Sequence, residues 1–301
     1  MKRREFITLL GCAAAWPFPA RAQTLTNPAA AIDSQVAQVA TLQGSATVTR
    51  GGATPAALKV SDPVYKHDVL QAGANSLLGV TFDDETTLNL NANARLTVDE
   101  FVYQDGGRSN AALFNVVRGT VAFVAGQAAK TGDMKFTTAT ASLGIRGTTG
   151  VVEVPDGGAG GTAEPKIKLY PDADGRVGRI EVFDRQGGRL GTLTQGASAF
   201  ALRPGPGGRI AAVAVQIPPQ EAARDRGVVQ RLFASHNVGR QMAVQRRQQR
   251  QQRQNQLRQN QRQQQNRNQQ QQNRNQRQQF QQQQRQERER PQRGGNRPDR
   301  R

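Results

Sequence analysis

Val80, Leu88 and Leu96 lie eight residues apart, and Phe82, Leu90 and Val98 repeat that step two residues further on. Residues two apart in an extended chain point to the same side, so each pair places two apolar side chains on one face of a short strand. Asp, Asn and Thr fill the intervals, as turns require. The alternation runs on through Leu78, Phe101, Tyr103, Val121 and Phe123 with period two and no helical period. Before it, 36–42 and 46–49 read as strands, with turns at Gly44-Ser45 and Gly51-Gly52 and a bend at Asp62-Pro63. The prediction is an all-β domain over 36–155. Its step of eight suits the rungs of a β-solenoid, the preferred reading, and is also compatible with an antiparallel meander. Such a layered domain usually presents a binding surface and not a reaction centre.

A second, small β unit is expected over 163–205, with strand-like runs at 167–170, 179–183, 191–193 and 199–202 at hairpin spacing. The glycine-rich stretch 156–162 reads as a mobile loop before it, and 204–208 as the end of the sheet. After Pro218-Pro219, one short helix is expected within 219–239. Val228, Val229, Leu232 and Phe233 give it a single apolar stripe suited to capping the β core.

The ends of the chain differ in chemistry from this middle. Residues 1–22 read as a cleaved signal peptide, with Lys2, Arg3 and Arg4 as its basic start, a short apolar run over 6–16, and small residues at Ala20 and Ala22 before a cut at Gln23. The string resembles a twin-arginine export signal at Arg3, Arg4 and Phe6, and departs from it at Lys2 and Thr8. Cys12, the one cysteine, follows Leu9-Leu10-Gly11 as in a lipoprotein signal, but few apolar residues precede it, which favours cleavage after Ala22. The expected location is periplasmic or secreted, with no transmembrane segment after cleavage, and 23–35 is a spacer. Of the formal charge of +18, residues 240–301 carry seventeen Arg against Glu287, Glu289 and Asp299, which is +14. Residues 1–22 carry four basic residues against Glu5, or +3, which leaves the middle +1. The basic character therefore implies no basic groove in the folded part.

The tail over 240–301 is Gln, Arg and Asn with almost no apolar residue, so it is expected to be disordered, extended or flickering into helix. Two readings stand for it. One is a solvated tail without a role. The other is electrostatic adhesion to anionic envelope polymers through Arg246, Arg247, Arg250, Arg253, Arg258 and Arg262. No physiological nucleic acid is expected as a partner of an exported chain.

Candidates for catalysis and metal binding are few. His67 and His236 are the only histidines, and a Ser-His-Asp arrangement has no support in their spacing. Asp83, Asp84 and Glu85 form an acidic cluster, and Asp172 with Asp174 before Gly175 resembles half of a calcium loop. Neither has the remaining ligands at fixed spacing, so turn chemistry is the expectation and no metal is assigned. Asp99 and Glu100 are adjacent in a strand and point to opposite sides, unlike a glycosidase pair. No cofactor is implied and no catalytic residue is assigned.

Three ordered phrases resemble the FecR domain, the envelope-side module of the FecR iron-signalling regulators. The first comprises Phe82, Asp84, Thr86 and Leu88, with Glu85 where the family has glycine. The second is Arg118, Gly119, Thr120 and Phe123. The third is Gly144, Ile145, Arg146, Gly147 and Thr148. The resemblance spans 36–155 and implies an all-β roll or solenoid with a role in protein contact within the envelope. Regulators of the signalling type carry an anti-sigma segment and a membrane helix before this domain, where this chain has a signal peptide, so relay across the membrane is not implied. Arg146 either ties neighbouring carbonyls together, the favoured reading, or is presented to a partner's carboxylate. The functional expectation is a non-catalytic exported interaction or regulatory module whose envelope protein partner is unknown. The competing class is a β-solenoid polysaccharide lyase or hydrolase.

Overall fold

The computed structural model describes residues 35–156, 164–205 and 209–288, with side chains as far as residue 281. The signal peptide, most of the spacer, most of the 156–162 loop and the last residues of the tail lie outside the described residues.

Strands, numbered along the chain, build two sheets that share one long strand. The front sheet runs β4 (Pro63–Tyr65), β1 (Gln35–Gln43), β6 (Leu77–Phe82), β7 (Thr87–Leu90), the second half of β9 (Ala111–Val124), β12 (Thr149–Val154), β13 (Lys166–Tyr170), β16 (Ser198–Pro204) and β17 (Ile210–Val215). The back sheet runs β3 (Ala56–Ala57), β2 (Ala46–Thr49), β5 (Val69–Ala72), β8 (Arg95–Val102), the first half of β9, β10 (Asp133–Thr137), β11 (Ser142–Arg146), β14 (Arg179–Phe183) and β15 (Arg189–Leu193).

Among the described residues every pairing is antiparallel except β9 with β10. Leu78 faces Leu90 and Val80 faces Leu88 across a hairpin, after which the chain crosses to the back sheet for Leu96 and Val98. The eight-residue step thus closes hairpins of an antiparallel roll, in place of the parallel rungs preferred for a solenoid. Local alternation is the same in both, and only long-range register separates them.

The six repeat residues are all fully buried. Five phenylalanines run through the core in sequence, Phe101–Phe82–Phe114–Phe136–Phe123, with ring centroids 5.1, 4.9, 5.1 and 4.7 Å apart. Burying a side chain of this class stabilises by roughly 1.5–3 kcal/mol.

The expected separate β unit over 163–205 is instead the far end of the same two sheets, because β13 pairs with β12 and β14 pairs with β11. The sheet does not end at Pro204 either. It continues into β17, whose Ile-Ala-Ala-Val-Ala-Val sequence has too many alanines to show a strand pattern.

Two helices complete the fold, the single turn α1 (Ala128–Thr131) and α2 (Pro219–Arg288). The short helix over 219–239, and the disorder expected after it as far as residue 288, are both corrected by α2, which is 70 residues long, about 105 Å at 1.5 Å per residue. Its buried positions are Asp225, Val228, Leu232, Ser235, Gly239, Ala243 and Arg246, a stripe at steps of three and four. Hydrophobicity fades from that stripe after Leu232 while helical periodicity continues. Gln and Arg are good helix formers, and no Gly or Pro interrupts 240–290. From 251 to 281 every side chain is exposed.

Candidate interaction site

The turn between β6 and β7 carries the first motif phrase and ties the roll together. Asp84, fully buried, accepts hydrogen bonds from the Thr86 N–H (2.9 Å), the Thr86 hydroxyl (2.7 Å) and the Ala128 N–H at the start of α1 (3.0 Å). The Thr86 hydroxyl in turn accepts from the Gly126 N–H, at 3.0 Å. Burial pushes the Asp84 carboxyl up, against these hydrogen bonds, which favour its charged form. Phe82 and Leu88 point into the core on either side of the turn. Glu85, at the glycine position of the phrase, has a left-handed backbone with φ of 71°, so the turn keeps the geometry that glycine would favour.

The second phrase marks where β9 changes sheets. Arg118 still pairs with Arg95 of the back sheet, while Gly119 pairs with Val154 of the front sheet. At Gly119, φ is 85°, and a Cβ there would stand 2.4 Å from the Ala94 Cα, so only glycine lets the strand pass. Phe123 lies two turns of alternation later in the core, and Arg118 reaches Asp156 at 3.6 Å. In the third phrase, Ile145 is buried and Gly144 faces Lys135 across the ladder. The Arg146 guanidinium donates to the Gly132 carbonyl (3.1 Å) beside Asp133 (3.5 Å). Gly147 turns the chain with φ of 58°, and the buried Thr148 hydroxyl donates to the Tyr170 carbonyl at 3.2 Å.

Helix α2 lies across the outer face of the front sheet. Val228 and Leu232 bury against Ala122, Val124, Val151 and Tyr170, with Val229 and Phe233 packed beside them. Beyond that apolar footing the contact is polar and close. The Ser235 and Thr41 hydroxyls share a 2.8 Å hydrogen bond, His236 Nδ1 meets the Thr87 hydroxyl at 3.0 Å, and a Cβ on Gly239 would stand 1.8 Å from the Thr81 hydroxyl oxygen.

Ionic clusters secure this contact at both ends. Near the start of α2, the Lys168 ammonium, with its side chain fully buried, sits among Glu153 (2.9 Å), Glu221 (2.6 Å) and Asp225 (2.8 Å). Tyr170 donates its hydroxyl to Asp225 at 2.7 Å, and burial together with that carboxylate pushes its phenol up. Lys166 pairs with Glu221 and Arg224 with Glu153. The carboxylate oxygens of Glu153, Glu221 and Asp225 lie within 4.8 Å of one another, a spacing open to a metal, but an ammonium occupies their centre.

Toward the other end, Arg246 Nε and Arg250 Nη1 each donate to a different oxygen of Asp83, both at 2.8 Å. Arg247 donates to Glu85 at 2.7 Å, and Arg240 lies 3.4 Å from the same carboxylate. Arg246 also donates to the Gln38 side chain (3.0 Å) and Arg250 to the Gln35 carbonyl (2.7 Å). This corrects the expected polyanion site. Arg246, Arg247 and Arg250 are engaged by the roll, because the helix carries them over the acidic turn. Arg253, Arg258 and Arg262 lie on the exposed part, followed by Arg267, Arg274 and Arg277, with no acidic residue between 251 and 281. A cleft of about 380 Å³ lies between the start of β1 and α2, lined by Gln35, Gln38, Met242, Arg246, Arg250 and Arg253.

The two histidines and the Asp172–Asp174 pair have structural places. His67 is an exposed turn residue with φ of 66°, and Asp68 beside it is held by Arg50 and the Tyr65 N–H. His236, near the end of the helix expected within 219–239, lies well inside α2 because the helix continues. Asp172 accepts from the Thr149 hydroxyl of β12 (2.7 Å), and Asp174 accepts from the Arg176 N–H within its own turn (3.0 Å). No helix among the described residues is long and apolar enough to cross a membrane.

A filled two-sheet roll strapped by a charged helix defines an all-β scaffold that offers surfaces. Residues 68–163 match the family model described as FecR protein, and the chain carries a FecR domain there. The match opens at the start of β5 and closes past β12, while strands on both sides continue the same sheets. Two crystal structures of a provisionally assigned anti-sigma factor from Parabacteroides distasonis ATCC 8503 resemble the chain at 13% and 12% identity, with TM-scores of 0.36 and 0.35. Each alignment covers 49% of this chain and 60% of the other, less than two thirds of that protein. No curated protein matches the chain.

Proposed function

We propose that this protein is a non-catalytic interaction module of the bacterial cell envelope, in which the FecR-domain roll holds out the far part of α2 as a cationic arm for anionic envelope polymers. The observation that carries this reading is the unbroken exposure of 251–281, with six arginines and no acid, on a helix whose Arg240, Arg246, Arg247 and Arg250 are already paired with the roll. Export is supported by the basic, apolar and small-residue order of residues 1–22. A non-catalytic role is supported by the engagement of Asp83, Asp84, Glu85, Asp172 and Asp174 in hydrogen bonds or ion pairs. An envelope protein partner for the roll is supported by the FecR resemblance alone.

The test compares the whole chain with a version ending at Arg250, which keeps the helix clamp. Binding to lipopolysaccharide is expected to weaken steeply with salt, as ion release requires, and to disappear with the arm. Salt-insensitive binding, or equal binding by the shortened chain, overturns the reading. Turnover of acidic polysaccharides by the whole chain would replace it with the lyase class.

A further inference from the structure

The two sheets have four outer edges, and one differs from the other three. The β4 edge has three residues and opens on Pro63, the β3 edge has two residues, and the β15 edge carries Arg189. Short strands, proline and charge are the usual protections of a sheet edge. The β17 edge has none of them. It is six residues long, Ile-Ala-Ala-Val-Ala-Val, with Val213 and Ala214 exposed. Among the described residues only β16 pairs with it.

Its outward hydrogen-bonding groups can be assigned. The Gly205 N–H donates to the Arg209 carbonyl directly opposite, at 2.6 Å, which makes that a hydrogen-bonded pair. Alternate pairs along an antiparallel ladder share that character, so Ala211, Val213 and Val215 bond inward to β16. Ile210, Ala212 and Ala214 therefore direct their N–H and C=O groups away from the sheet.

We propose that β17 is the pairing edge for a second copy of this chain, joined antiparallel about a two-fold axis at Ala212. In that register Ala212 faces its own symmetry mate and Ile210 faces Ala214, so all three outward residues find hydrogen-bonded partners at once. Small side chains meet across the axis, and no like charges are brought together along the strand.

The position of α2 also selects this edge. The helix begins beside β13, where Glu221 meets Lys166, and reaches Gln35 of β1 on the opposite side of the front sheet before projecting. Pairing through β17 keeps the two exposed 251–281 stretches, each with six arginines and no acid, at opposite ends of the dimer, whereas pairing near β4 would bring them together. Two arms on one body would also bind a polymer with avidity. The dimer itself does not depend on the polyanion reading.

The test uses the full chain with Cys12→Ser, so that Ala212→Cys supplies the only thiol. Sedimentation at high salt is expected to show a doubled mass that Ala212→Pro returns to monomer, with the circular dichroism spectrum retained. Directly opposed residues in a hydrogen-bonded pair have Cα atoms about 5.5 Å apart, within disulfide reach. Ala212→Cys is therefore expected to give a covalent dimer on oxidation, and this readout decides the matter if Ala212→Pro does not fold. A monomer at every concentration, or a dimer without the cross-link at 212, overturns the proposal.

Discussion

The two ionic ends of the α2 contact are mirror images in charge. Around Lys168 the roll supplies the central cations, Lys166 and Lys168, and the helix supplies Glu221 and Asp225. Around Asp83 the roll supplies the acids and the helix supplies Arg240, Arg246, Arg247 and Arg250. A helix laid down in reverse would bring acid onto acid at one end and base onto base at the other. The inversion therefore sets direction and register where the contact between Ser235 and Ala243 has little hydrophobic grip. It also agrees with the helix dipole, which favours acids near the N-terminus. The ends differ in wetness, since the Lys168 side chain is fully buried while that of Arg246 keeps 10% exposure and those of Arg247 and Arg250 keep 31% and 29%.

That difference ranks the consequences of breaking each end. Lys168→Ala leaves three carboxylates facing one another in a dry site, and a loss of about 3–5 kcal/mol is expected in chemical denaturation. Arg246→Ala, with Arg250 still on Asp83, is expected to lose about 1–3 kcal/mol. An Arg246→Ala loss as large as that of Lys168→Ala would erase the contrast.

Acid should loosen the first half of the helix contact in steps. Burial alone would raise the Glu221 carboxyl, but the hydrogen bonds and charges of Lys168 and Lys166 outweigh it and hold the group down to about 2, below its ordinary 4.5. A depressed carboxylate stabilises fully above its unfolded value, so this contribution is complete above about 4.5 and lost as pH falls toward 2. His236 is lowered from 6.5, first by burial and then by Arg240, so its neutral form favours docking and stability falls as it is forced to charge below 6.5. Asp84, raised by burial, acts in the opposite sense, but inside the roll. Hydrogen-exchange protection of the 221–236 segment is therefore expected to fall in two stages on acidification. A single transition shared with the roll would contradict separate titration of the contact.

The smallest expected effect concerns Glu85. Its left-handed backbone costs about 1 kcal/mol relative to glycine, and its ion pair with Arg247 offsets that. Glu85→Gly should be nearly neutral in the native chain and stabilising by about 0.5–1 kcal/mol when Arg247 is already Ala, as read by thermal melting. The same change in both backgrounds would mean that Arg247 contributes nothing to the turn.

Much of the roll was legible because strand alternation is local. Phe82, Leu90 and Val98 are core residues in any register that buries one face. The choice between hairpin and rung depends on which strand lies next door, and a repeat of eight does not encode that. The helix beyond 239 was illegible for a related reason, since its buried face is Ser235, Gly239, Ala243 and Arg246, a stripe with no hydrophobic period. The clamp left a fainter signal. Asp83 and Glu85 alternate in a turn, Arg246 and Arg250 lie one helical turn apart, and Lys166 with Lys168 matches Glu221 with Asp225 in the same way. Those spacings place like charges on one face each, but only the fold brings the faces together.

The carbonyl of Gln35, the first described residue of the opening strand, accepts from Arg250 across a sequence separation of 215. Contacts so distant along the chain close late, after the surfaces they join have formed. The helix must find β1, β6 and β13 already in place, so its seating is the last act of assembly. A latch that engages only on a finished roll would leave a half-built one without its clasp and open to degradation.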